Sequence, residues 1–91
     1  MKYRFRTAKS FRRALSKLTE WQMKSAKEAF AIFREDPFDP RLRTHKIHKL
    51  TAAYGKTIYS AHVEGDLRAV FYLESDTVWS VDIGSHAIYR A

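Results

Sequence analysis

Four histidines are the side chains of this chain that titrate near neutral pH: His45, His48, His62 and His86. Asp66 and Arg68 come shortly after His62, and Tyr89 shortly after His86. This set suits phosphodiester chemistry on RNA, whose 2′-hydroxyl can attack its own adjacent phosphate. That reaction needs a base for the 2′ proton, an acid for the leaving 5′ oxygen and positive charge on the non-bridging oxygens. Asp66, alone or with His62, reads as the general base and His86 as the general acid. His48 and Arg68 would hold the phosphate, arginine as a rigid fork of donors. Tyr89 would stack on a base or bond to a phosphate. A metal site is not expected, because there is no cysteine and no His-Glu-x-x-His helix.

Each of these residues also has a plain structural use. Asp66 completes a Glu-Gly-Asp turn, His86 comes after a strand and Gly84, and His62 sits within an alternating run. His45 and His48 decorate a basic loop, Arg68 can pair with Glu64 or Asp82 across a sheet, and Tyr89 can belong to the core. Register discriminates between the two readings. A two-residue Glu64-Gly65 turn puts His62 opposite Leu67. A three-residue turn from Glu64 to Asp66 puts His62 opposite Arg68, with Gly65 or a neighbour left-handed. The catalytic reading requires the second pairing.

The elements that must position these groups are three runs rich in β-branched and aromatic residues: Thr57 to Val63, Leu67 to Leu73 and Thr77 to Ile83. Short polar turns separate them, which predicts an antiparallel meander. Upstream, Lys2 to Arg6 alternates as a half-buried strand, and Thr7 is placed to cap a helix after it. Phe11, Ala14, Leu15 and Leu18 predict a basic amphipathic helix of about three turns. Thr19 to Gln22 has capping-box form and opens a second helix to about Glu35, with Ala26, Ala29, Phe30 and Phe33 inward. Pro37 forbids continuation. Ile47 and Leu50 are expected to pin the next loop to the core. The predicted order is β-α-α-β-β-β, an α+β fold of two layers. A helix hairpin packs on a mostly antiparallel four-stranded sheet, all within one domain spanning residues 1–91.

Net charge is +7 over 91 residues, and it is unevenly placed. Residues 1–50 hold 14 Lys and Arg against 5 Asp and Glu, while residues 51–91 hold 3 against 5. A basic surface of this kind draws polyanions, nucleic acid foremost. No apolar run approaches the ~18 residues of a membrane-crossing helix, and the N-terminus lacks the apolar region of a secretory signal. With no cysteine, a cytoplasmic location is the simplest expectation.

Two stretches carry a family resemblance: Ser60-Ala-His62-Val-Glu-Gly-Asp66-Leu-Arg-Ala-Val-Phe71 and Gly84-Ser-His86. Together with His48 and the order of elements along nearly the whole chain, they resemble the RelE/ParE superfamily of type II toxin–antitoxin toxins, and its YafQ-type branch in particular. The resemblance implies a RelE-like fold and a ribosome-dependent messenger-RNA endonuclease (an mRNA interferase) that uses no metal or cofactor. It implies His48, His62, Asp66 and His86 as the catalytic set, with His45 a competitor for the place of His48. Arg68 matches the broader superfamily, where an arginine often occupies this strand. The Arg41 to Lys49 loop, with Arg41, Arg43, Lys46 and Lys49, would face RNA beside Arg68 and Tyr89. Implied partners are a cognate antitoxin, the ribosome and messenger RNA, with no membrane. The alternative is a ParE-like inhibitor of DNA gyrase, or a degenerate member without chemistry. The basic first helix is less suited to reading DNA, because lysine and arginine dominate its exposed face.

Overall fold

The computed structural model describes residues 3–85. His86 and Tyr89, the expected general acid and aromatic contact, lie outside the described residues. The elements run β1 (Arg4–Thr7), α1 (Lys9–Leu15), α2 (Glu20–Glu35), a 3-10 turn (Pro40–Leu42), β2 (His45–Lys46), α3 (His48–Tyr54), β3 (Ile58–Glu64), β4 (Leu67–Glu74) and β5 (Thr77–Gly84). The strands form one sheet in the order β1-β5-β4-β3-β2. β3, β4 and β5 are the expected antiparallel meander. β1 joins it in parallel alongside β5, with Phe5 opposite Val78 and Arg6 opposite Trp79.

The expected α+β class and helix pair are present, and among the described residues the structure adds a fifth strand and a third helix. Along β4, side chains alternate between faces. Ala69 and Phe71 pack with Phe11, Ala26, Ala29 and Phe33 of the α1–α2 pair. Val70, between them, packs with Leu50 of α3 and with Ile58 and Val81. α3 therefore covers the face opposite the helix pair. Ile47 and Leu50 do pin this segment, as their spacing suggested, and Leu50 is buried. α3 ends at Gly55, whose φ of +71° suits glycine.

α2 starts at a full capping box: the Thr19 hydroxyl accepts from the Gln22 N–H, and the Gln22 side chain accepts from the Thr19 N–H. α1 is shorter than the apolar spacing suggested. Its last turn tightens, with Lys17 N–H donating to Ala14 C=O and Leu18 N–H to Leu15 C=O, and the Ser16 hydroxyl donates to the Arg13 carbonyl. Leu18 still packs beneath the helix pair. Thr7 does not cap α1. Ala8 occupies that position, and the Thr7 hydroxyl accepts from Arg12 instead.

Candidate active site

β3 and β4 are joined by a tight turn in which Glu64 pairs with Leu67, and Gly65 has a φ of +52°. That is a two-residue loop, one shorter than the catalytic reading expected. The required pairing is reached another way: a bulge between His62 and Glu64 inserts Val63, so His62 still lies opposite Arg68. The two side chains meet, with Arg68 Nη1 2.8 Å from His62 Nδ1. The same Nη1 donates to the Gly65 carbonyl at 2.9 Å. Arg68 thus partners His62, and neither Glu64 nor Asp82 forms an ion pair with it among the described residues.

This contact fixes the ring. A guanidinium has only donors, so Nδ1 of His62 accepts and the ring proton sits on Nε2. His62 thus presents an N–H rather than a lone pair. That argues against its acting as the resting general base. Burial, then the charge of Arg68, then that of Arg43, hold its pKa below the ordinary 6.5, while Glu64 pulls weakly upward. A ring-proton NMR titration should place the His62 midpoint below that of a free imidazole. The lowered value also ties this ring to stability. As pH falls below about 6.5 the unfolded chain takes the proton first, so stability declines until the lowered folded pKa is reached. An unshifted or raised midpoint would contradict the contact.

Arg43 reaches His62 through the edge of the sheet. β2 pairs with β3 for only two residues, His45 with Ser60 and Lys46 with Tyr59. Arg43 lies two residues before that pairing, near enough for its charge to act on His62. Arg43 itself is left-handed, with φ +50°, where the chain turns out of the 3-10 segment. Among the described residues, no strand pairs with this edge of β3 beyond Ser60. A groove of about 200 Å³ runs beside it, lined by Ser25, Glu28, Ile32, Arg41, His62 and Glu64 among others.

The other expected site residues are distributed around this edge. Asp66 is exposed on the β3–β4 turn. His48 and Lys49 are exposed in the first turn of α3. His45 stands on β2 opposite Ser60, its Nδ1 2.9 Å from the Arg43 carbonyl. A carbonyl only accepts, so Nδ1 carries the proton, and in the neutral ring Nε2 is an acceptor with no partner among the described residues. His45 and His62 therefore present opposite tautomers. Lys46 is exposed. Arg41 is partly spoken for, with Nε and Nη2 each 3.0 Å from the Asp39 carboxylate, which lowers the pKa of Asp39. Sequence reasoning passed over Glu64 as a charge felt by His62; its place two residues along the same strand was the available signal.

Neither a family model nor a curated protein sequence matches the chain. Solved structures do. The archaeal RelE–RelB complex from Pyrococcus horikoshii superposes with a TM-score of 0.69 at 17% identity, covering 93% of this chain and 96% of that one. The toxin–antitoxin complex RelBE2 from Mycobacterium tuberculosis gives 0.70 at 21%, over 94% and 100%. YafQ from Escherichia coli gives 0.74 at 15%, over 99% and 100%. The fold is that of the RelE- and YafQ-type toxins. On this RelE/YafQ-like scaffold the His62–Arg68 pair occupies the end of the meander, between the β3–β4 turn and the open β3 edge.

Proposed function

We propose that this chain is the toxin of a type II toxin–antitoxin pair and acts as a metal-independent messenger-RNA endonuclease on the ribosome. The observation that carries the reading is the His62–Arg68 contact of 2.8 Å at an open, basic sheet edge. Nη1 of Arg68 is occupied by the ring and the Gly65 carbonyl. Nε and Nη2 make no bond to a described residue, and they form the fork that receives a phosphate. The neutral Nε2–H of His62 adds a further donor to the non-bridging oxygens. The 2′ oxygen attacks phosphorus as the bond to the 5′ oxygen breaks. The 2′ proton passes to a base, Asp66 or a histidine of the His45–His48 segment, and His86 protonates the leaving 5′ oxygen. Arg43, Lys46 and Lys49 hold the RNA backbone through salt-sensitive contacts, and Arg41 does so where Asp39 releases it. Tyr89 supplies a stacking surface.

The partner is an acidic antitoxin that orders on binding. Similar folds solved as a RelE–RelB complex and as a toxin–antitoxin complex support that partnership. Antitoxin and ribosome compete for the same basic surface. The test is induction in a bacterial host of the wild-type chain and of His86→Ala. Growth arrest and cut messages should vanish together in the variant. Arrest that persists without cleavage would replace this reading with the non-catalytic, gyrase-directed one.

A further inference from the structure

Between α1 and the end of β5 lies a cavity of about 420 Å³. It exists because β1 stops at Thr7, opposite Ser80, and the chain turns into α1 there. β5 is left without a β1 partner from Val81 to Gly84. The Ser10 hydroxyl ties α1 to the Val81 carbonyl at 2.6 Å. Arg13 and Lys17 stand at the rim, Leu18, Leu67 and Ile83 form apolar walls, and Asp82 supplies a carboxylate. Gly84 is the register partner of Arg68, so the cavity lies at the end of β5 that pairs with the start of β4.

We propose that this cavity is a nucleotide subsite that takes a guanine base of the RNA, with its phosphate on Arg13 and Lys17. The inference rests on the RNA-cleaving reading for its substrate class, and it adds a base-selecting site. The lining carries charges of both signs beside apolar walls, which favours a ligand with an anionic end, a hydrogen-bonding edge and a flat apolar face. A nucleotide carries a hydrogen-bonding base and an anionic phosphate on one rigid unit. Among the four bases guanine alone offers two adjacent N–H groups on its Watson–Crick edge, which match the paired oxygens of a carboxylate. Asp82 Oδ1 accepts the Ile83 N–H at 2.8 Å, which fixes the carboxylate plane, while Oδ2 has no partner among the described residues. Burial pushes its pKa up, so an incoming pair of donors replaces solvation the carboxylate has lost.

The experiment titrates the intact chain with guanosine, adenosine, cytidine and uridine 5′-monophosphates, read by amide shifts at Ser10, Leu18, Leu67 and Ile83. The expected result is guanosine monophosphate binding at least roughly fivefold tighter than the others, since one good bidentate pair discriminates by about 1–3 kcal/mol. Asp82→Asn keeps an acceptor for the Ile83 N–H and should abolish the guanine preference. Arg13→Ala should weaken all four nucleotides together. Equal shifts with all four, no shifts at these amides, or a preference that survives Asp82→Asn would overturn the proposal. Binding is read without cleavage. A chain that selects guanine here but cuts no RNA would sink the nuclease reading alone, whereas a chain that cuts RNA with this cavity silent would sink the subsite alone.

Discussion

Arg68→Ala should lower RNA cleavage by roughly 10²–10³-fold, the usual loss when one preorganised donor to a developing oxyanion is removed. Arg68→Lys should not restore it. A lysine ammonium is a point charge and cannot serve His62, the Gly65 carbonyl and a phosphate at once. The loss should fall mainly on kcat, because the fork acts on charge that grows in the transition state. A second readout separates this role from a merely structural one. Removing the cation next to Nδ1 should raise the His62 midpoint toward the ordinary value, since Arg68 is the largest charge holding it down. Cleavage that is unaffected in a folded Arg68→Ala protein, or a His62 midpoint that does not move, would contradict the assignment.

Phe71→Ala should cost about 3–5 kcal/mol, the range for emptying a buried aromatic position. Phe71 is fully buried on β4, where the helix pair meets the sheet. Its ring meets Phe33 edge-on at 5.0 Å and stacks on Tyr59 at 5.4 Å, with Phe38 at 6.0 Å. Small domains have about 5–15 kcal/mol in all, so this single change removes a large share of it. Urea unfolding monitored by tryptophan fluorescence checks it: the midpoint should fall sharply with little change in slope. A loss below about 1 kcal/mol would mean that neighbouring rings collapse into the space and that these ring contacts do not hold the core together.

The parts legible in the sequence were those whose pattern is local. Alternation and turn chemistry marked β3, β4 and β5 almost to the residue, and Thr19 with Gln22 marked the start of α2. The parts that stayed hidden are set by distant partners. β2 is two residues long and exists because Ser60 and Tyr59 offer an edge. α3 has only Ile47 and Leu50 as apolar anchors, too few for a helical period to be read, and its cap has no side-chain bond. The early stop of α1 depends on Ser16 and a tightened turn rather than on the apolar stripe. At the site, the pairing of His62 with Arg68 was legible from strand counting, although the route to it was not. A bulge at Val63 takes the place of a longer turn. The approach of Arg43 to His62 and the opposite tautomers of His45 and His62 depend on carbonyls and charges that no spacing rule reveals.

The parallel pairing of β1 with β5 has a consequence for how the molecule is made. Residues 4–7 find their strand partners at residues 77–80, far along the sequence. The meander closes through short hairpins, whereas the first strand must wait until residues 77–80 have been synthesised, which places this loop closure late in folding. Until then the hydrophobic side of Phe5 has no sheet to rest on, and once β5 has formed its outer flank stays bare until β1 docks. A nascent chain is therefore open to edge-on pairing with foreign strands during that interval. A chaperone or a co-synthesised partner that shields this flank would raise the yield of folded protein without touching any group involved in catalysis.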